Sequence, residues 1–275
     1  RHVVDVPKGI KNRKMERFEF RFNKQTPRFA YQPYTLEETK AATQELADNL
    51  TITKGNSKLK KTAKAYGKRI GQKAEIIAFS TPALLACPFA NDCESFCYAL
   101  QGQFMRRSVL EPRARNLAVL RHIAEITKHP AQRGAVVMFK ALYPHVKRTA
   151  KRGTKLIVRM HDSGDFFSPW YLEMWIEVAN LLPEVEFYGF TKAIKMLQGV
   201  TLPSNMSLVQ SVGGTQDKHI DEALSHSRVF ASHEEREAAG YVDGNDEVLG
   251  DIPAIVGDIR IGLVYHGTET LHKAA

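Results

Sequence analysis

Apolar runs of strand length recur along this chain from residue 74 onward, separated by amphipathic stretches of helix length. The runs are Ala74 to Phe79, Lys155 to Met160, Val185 to Thr191, Met206 to Ser211, Arg228 to Ala231 and Ile261 to Tyr265. They are mostly continuous rather than alternating, which fits strands covered on both faces. Between them lie Phe104 to Thr127, Val136 to Ala150, Pro169 to Leu182, Ile194 to Gly199, Asp217 to His226 and His233 to Ala239, all read as helical. This order predicts parallel strands joined by crossover helices. The expected fold class is α/β: a partial β/α barrel of about six parallel strands with a basic N-terminal extension. In such sheets ligands bind beyond the carboxyl ends of the strands, so the polar residues that follow each run are the candidates for chemistry.

Before residue 74 the pattern differs. Glu16 to Phe22 alternates and reads as a short strand, and Leu36 to Leu50 reads as a helix that Thr35 and Glu38 would open with a capping box. Lys54 to Lys58 reads as a turn or loop. The expected division is residues 1–70 as a basic N-terminal extension and 71–275 as the β/α core carrying a cysteine loop.

Charge sharpens that division. Residues 1–70 hold 17 Lys/Arg against 7 Asp/Glu, whereas the remainder holds 22 against 23. A basic quarter of this kind suits a polyanion or an acidic protein partner, and a solvated arm is the alternative. If Lys58 to Arg69 is helical, Lys60, Lys64 and Lys68 share one face with Lys61 beside them. With Lys54 and Lys58 these are the candidate nucleic-acid contacts. Aromatics such as Phe20, Phe22 and Tyr31 either stack on bases or pack the arm onto the core.

The chain has 275 residues, 43% of them hydrophobic, enough to bury a core without staples. It has no run of about 18 apolar residues of the membrane-spanning kind. Arg1 to Ile10 lacks a secretory apolar stretch, so a cytoplasmic, reducing setting is expected.

The three cysteines all fall in Cys87-Pro-Phe-Ala-Asn-Asp-Cys93-Glu-Ser-Phe-Cys97. An odd number so close together in a reducing setting points to a metal or redox site rather than a disulfide framework. Thiolates are soft ligands that suit zinc, copper(I) or iron–sulfur clusters. Zinc would need a fourth ligand, such as His161 or His122, and usually a second ligand pair elsewhere in the chain. A 4Fe–4S cluster held by three thiolates would keep one iron open. The cluster is therefore the first metal reading and zinc the alternative, with Cys87, Cys93 and Cys97 as ligands. Three buried apolar thiols would be the non-functional reading.

Three stretches carry a resemblance to a known family. Gly55-Asn56-Ser57-Lys58-Leu59, the Cys87-Pro88…Cys93…Cys97-Tyr98-Ala99 loop, and Ser163-Gly164-Asp165-Phe166 with Trp175 downstream look like the phage "gene product 88" family, over roughly residues 50–240. The resemblance implies a phage or mobile-element origin, hence the host cytoplasm and an acidic host protein as a partner alternative to nucleic acid. It implies no activity. The chain also distantly resembles radical S-adenosylmethionine enzymes, which place three cysteines directly after the first strand of a six-stranded partial barrel. Phe96 before Cys97 matches their aromatic, but the C-x5-C-x3-C spacing is longer than theirs in both gaps. That resemblance implies S-adenosylmethionine as cofactor, with Asp162, Ser163, Gly164 and Asp165 lining its pocket.

The remaining strand-end residues have plainer readings. Asp165 or Ser168 would cap the helix that Pro169 begins. Lys192 reads as a rim lysine, and Gly213-Gly214-Thr215 as a turn rather than a phosphate cradle. His233 lacks the zinc-protease pattern, Asp243 to Glu247 reads as a solvated loop rather than a calcium site, and Tyr171 and Trp175 read as core.

Overall fold

The computed structural model describes residues 2–3, 19–20, 36–95, 97–244 and 250–264. Most of the N-terminal aromatics, Thr35, Phe96, residues 245–249 and the segment from Tyr265 onward lie outside them. Of the expected strand at Glu16 to Phe22, Glu19–Phe20 (β2) is described, paired antiparallel with His2–Val3 (β1).

The main sheet has eight strands: Ile52–Lys54 (β3), Ala74–Phe79 (β4), Lys155–Met160 (β5), Glu186–Thr191 (β6), Met206–Ser211 (β7), His226–Phe230 (β8), Val242–Asp243 (β9) and Arg260–Val264 (β10). Its order is β3-β4-β5-β6-β7-β8-β10-β9. Every pairing is parallel except β3 with β4, where Ile52 faces Phe79. The six strands expected from the apolar runs are all present and adjacent in that expected order. Among the described residues β3 and β9 are the two edges of an open sheet.

Helices Leu36–Asp48 (α1), Ser57–Arg69 (α2), Arg107–Ile126 (α3), Pro130–Lys151 (α4), Pro169–Leu181 (α5), Ile194–Leu197 (α6), His233–Ala238 (α7) and Ile252–Val256 (α8) surround the sheet. The pleat decides which residues meet them, because successive side chains point to opposite faces. Ile77 and Phe79 of β4, Val158 and Met160 of β5 and Phe187 of β6 join one core with Leu120, Met138, Leu142 and Trp175 from α3, α4 and α5. Their neighbours Ile76, Ala78, Ile157, Tyr188 and Val209 join a second core with Leu59, Ala63 and Tyr66 of α2 and Ile252 and Ala254 of α8. Both faces are thus covered, as the continuous apolar runs predict. Tyr171 and Trp175 are core residues with 0% exposure, also as predicted.

Some expectations are corrected. Lys54 to Lys58 is not one loop: Lys54 ends β3, and Asn56 opens α2 by accepting the Leu59 N–H at 2.9 Å. Asp217 to His226 is not a helix. Asp217–His219 forms one 3₁₀ turn, and His226 already belongs to β8. Its amphipathic pattern reflects anchoring side chains instead: Asp221 pairs through its backbone with both ends of the Gln210 amide at 2.9 Å.

Candidate metal centre at the carboxyl ends of the strands

The segment from Ser80 to Arg106 leaves the carboxyl end of β4 and carries all three cysteines before entering α3. Backbone hydrogen bonds tie it across the sheet. Thr81 N–H reaches Ser163 O at 3.0 Å and Asp165 N–H reaches Ala86 O at 2.9 Å, fastening the segment to the loop after β5. Thr215 N–H reaches Phe89 O at 3.0 Å, and Ala90 forms an antiparallel bridge with Gly214, fastening it beyond β7. The Tyr98 hydroxyl donates to the Asp162 carbonyl. The cysteine loop therefore lies over the strand ends, where this fold class places ligands.

Cys87, Cys93 and Cys97 are free and half-buried. A charge at Cys93 or Cys97 adds to the rise at Cys87, and one at Cys97 adds to the rise at Cys93. Burial is the main cause that pushes all three thiols up. At Cys87 the neighbouring Asp165 adds to it. Lys192 opposes the rise at Cys93, and backbone N–H groups, Arg113 and Lys192 oppose it at Cys97. A thiol held protonated by burial is a poor unaided nucleophile, since reactivity belongs to the thiolate. A metal ion removes that obstacle by displacing the proton.

Among the described residues no three His, Cys, Asp or Glu side chains are grouped to hold a single metal ion. Neither candidate fourth zinc ligand joins the thiols. His161 Nε2 pairs with the Tyr171 hydroxyl at 2.8 Å, and His122 Nδ1 lies 3.9 Å from Glu125 on α3.

The segment after β5 is the second wall of the site. His161 has a left-handed backbone, φ +64°, unusual outside glycine, and its ring is buried against Phe166 and Tyr171. Burial lowers its pKa to about 3, so the ring is neutral. Gly164, at φ +88°, packs on Thr81, and a Cβ there would lie 2.0 Å from Thr81 Oγ1. No other residue type fits between the two loops. Ser163 Oγ, Thr81 Oγ1 and His161 Nδ1 are buried without a hydrogen-bond partner.

Asp165 does not cap α5. Ser168 stands at the N-cap position, without a side-chain capping bond, and Pro169 follows it. The Asp165 carboxylate instead accepts from Thr191 Oγ1 at 2.6 Å, Phe166 N–H at 2.7 Å and Lys192 N–H at 2.8 Å. Burial raises its pKa to about 6 against those bonds and the Lys192 charge. Asp165 is thus a clasp between the ends of β5 and β6. Asp162 takes a different position, with its carboxylate 3.7 Å from Arg113 Nη2 and 3.6 Å from Arg159 Nη1.

Lys192 is not a rim lysine in water. Its ammonium donates to Val212 O at 2.6 Å and Ser211 Oγ at 2.9 Å. The Gly213 and Gly214 N–H groups both go to Asp217 at 2.8 Å, so this turn is closed, as expected, and cradles nothing. His233 opens α7 with Nδ1 3.6 Å from Asp243.

The sequence reading missed a buried chain of charges under the site. Arg159 Nη1 lies 2.7 Å from Asp251 Oδ2, which also accepts from the Tyr188 hydroxyl at 2.9 Å. Lys58 Nζ meets Asp251 Oδ1 at 3.0 Å. Burial opposes ionisation of Asp251, yet Arg159 and Lys58 hold its carboxyl below the usual range. One signal was readable: an arginine inside the apolar run Lys155 to Met160 must find a partner when buried. Nothing in the sequence pointed to Arg113 or Asp251.

Of the basic candidates, Lys54 ends β3 exposed, and Lys58 is partly committed to Asp251. Lys60, Lys61, Lys64 and Lys68 are exposed on α2, opposite its buried Leu59, Ala63 and Tyr66.

No helix among the described residues is long and apolar enough to cross a membrane. No solved structure matches the chain. The Gene 88 proteins of Mycobacterium phages L5 and D29 are each 28% identical to it over 141 residues, 51% of this chain and 52% of theirs. The chain spans about half the length of these curated relatives. The gene product 88 family profile matches residues 50–270, which contain the cysteine loop, the segment after β5 and the whole parallel sheet. The chain belongs to the gene product 88 family.

Proposed function

We propose that this is an iron–sulfur protein of phage type in which Cys87, Cys93 and Cys97 hold a 4Fe–4S cluster, with S-adenosylmethionine as the small-molecule cofactor. The observation that carries the reading is three electrostatically coupled thiols on one segment tied across the carboxyl ends of a parallel sheet, with Lys192 and Arg113 near them. The donor set fits. Three soft ligands arrive on one anchored loop, and two cations offset their charge once the protons leave. A cluster also suits thiols not drawn around one ion, because each binds a different iron. Around zinc, bonds of about 2.3 Å would pull thiolates to within about 4 Å of one another.

A bound cluster would supply electron transfer and, at the iron without a thiolate, a site for an amino and carboxylate chelate. The chain's own residues position that chemistry. Asp165 clasps the β5 and β6 ends, and Gly164 lets the loop after β5 approach Thr81. The buried hydroxyls of Ser163 and Thr81 offer unpaired groups beside the loop. The sequential order of β4 to β8 and β10 brings the loop after β4 beside the loop after β5, although the sheet is open and helices cover both of its faces.

The test is anaerobic purification with iron and sulfide analysis. About four of each per chain, with visible charge-transfer absorbance, is the expected result. A colourless protein holding zinc would reject the cluster. Calorimetry of the reconstituted protein with S-adenosylmethionine tests the cofactor separately, and no heat of binding would leave the cluster without this ligand.

A second reading rests on the exposed lysine row of α2, which suits a nucleic-acid backbone or an acidic host protein.

A further inference from the structure

A cavity of about 250 Å³ opens beside the segment that carries the cysteines, with Gln103 and Phe104 of that segment in its lining. It lies between the turn from β3 into α2 and the start of α3. Leu59, Phe104, Val109 and Pro112 supply apolar walls. Its volume is that of about eight liquid-water molecules, which suits a small metabolite.

The charged residues of the lining are two cations, Lys54 and Arg113, and one carboxylate, Asp162. The Arg113 side chain is only 9% exposed, lines the cavity and leaves Nη1 without a hydrogen-bond partner. Phe104 lies under its guanidinium, 4.7 Å from ring centroid to Cζ, which fixes the plane of the fork. The nearest carboxylate, Asp162, stands 3.7 Å away and is shared with Arg159 at 3.6 Å. Arg159 in turn shares Asp251 with Lys58. Along this connected row, three cations face two carboxylates, so the row keeps one positive charge in excess. Lys54 adds a further cation at the lining.

Two helix starts add to the same field. Asn56 at the N-cap of α2 and Ser108 in the first turn of α3 both line the cavity, and neither first turn contains an acidic residue. Helix N-termini carry partial positive charge and present N–H groups to anions. An unpaired buried guanidinium nitrogen is costly unless a partner meets it, and a planar fork matches a carboxylate or phosphate edge.

We propose that this cavity binds a small oxyanion-bearing molecule, carboxylate or phosphate, with Arg113 as its principal anchor. None of the three cysteines lines the cavity, and Arg113 is the one group it shares with the proposed cluster site.

The test is calorimetry of the purified chain with two probes, inorganic phosphate and malonate, at constant ionic strength set with sodium chloride. One or both should bind, and whichever binds tighter identifies the oxyanion class. Arg113→Gln should weaken that binding at least tenfold. Because this change leaves Asp162 with one cation fewer and could disturb folding, Ser108→Trp is the second variant. It enters from an exposed lining position, leaves the charge row intact, and should abolish binding while keeping the wild-type circular dichroism. Arg107→Gln, on the exposed Arg107–Glu111 pair, should change nothing. Cys97→Ser should keep the binding, so a failed cluster and a failed cavity give different results. Absence of binding by both probes, or binding undiminished in both Arg113→Gln and Ser108→Trp, would overturn the proposal.

Discussion

Arg159 in the middle of the sheet and Asp251 at the start of α8 meet at 2.7 Å, although 92 residues separate them in the chain. This pair, with Tyr188 and Lys58 attached, is where α8 and α2 lock onto their shared face of the sheet. Removing one partner strands a buried charge, at a cost of about 3–5 kcal/mol. Arg159→Met should therefore destabilise the protein far more than Lys60→Met on the exposed face, as read from urea midpoints at unchanged slope.

The same carboxylate sets an acid limit. Its folded pKa is depressed below the unfolded value, so its stabilisation is complete above the unfolded pKa and is lost as pH falls through the folded one. Stability should decline below about pH 4. Asp251→Asn should be less stable at neutral pH and lose part of that acid dependence in urea titrations taken across the range.

Asp165 acts in the opposite sense. Its folded pKa, about 6, lies above the ordinary carboxylate value, so the native state binds its proton more tightly than the unfolded chain does. Its contribution falls as pH rises from about 4 to about 6. Asp165→Asn should flatten stability over that window. It should also cost about 1–3 kcal/mol, because one of the N–H groups now bonded loses its acceptor. A slope unchanged from wild type would assign the titration elsewhere.

Single replacement of Cys87, Cys93 or Cys97 by Ala should abolish iron retention, since two thiolates cannot hold the proposed cluster. Stoichiometric iron and sulfide in any one of the three variants would remove that residue from the ligand set.

The lysine row predicts a salt-dependent interaction. If Lys60, Lys64 and Lys68 each neutralise one phosphate of a single strand, binding should weaken with salt at a log–log slope of about −0.7 per contact. Changing all three to Gln should reduce the slope by about 2, measured by anisotropy with labelled single- and double-stranded DNA and RNA. A slope that does not change would discard this face as the contact.

The parallel strands were legible because burial on both faces demands continuous apolar runs, and Ala74 to Phe79 has no other use for Ile76, Ile77 and Phe79 together. The place of the cysteine loop, beyond the carboxyl end of Ala74–Phe79, was legible from the order of the segments. The short edge strands β3 and β9 were not, because three or two residues carry no period. Asp217 to His226 was misread because its polar residues serve turns rather than a solvated helix face. Arg113, Asp162 and Asp251 were hidden for a different reason. Their partners come from distant segments, and no local pattern marks a residue whose role exists only after packing. Lys192 was misread for the same cause: its acceptors, Ser211 and Val212, lie on the next strand.

The strap from Phe89 and Ala90 to Gly214 and Thr215 also bears on the order of assembly. The cysteine loop is held near both ends by residues that follow β5, and between Cys87 and Cys93 by residues that follow β7. Its shape is therefore complete only when β7 has joined the sheet, long after the cysteines themselves have been synthesised. The thiols meet late, on a frame that is already formed. Delivery of the proposed cluster to such a loop would be a post-folding insertion, and its removal should bleach the protein without melting it.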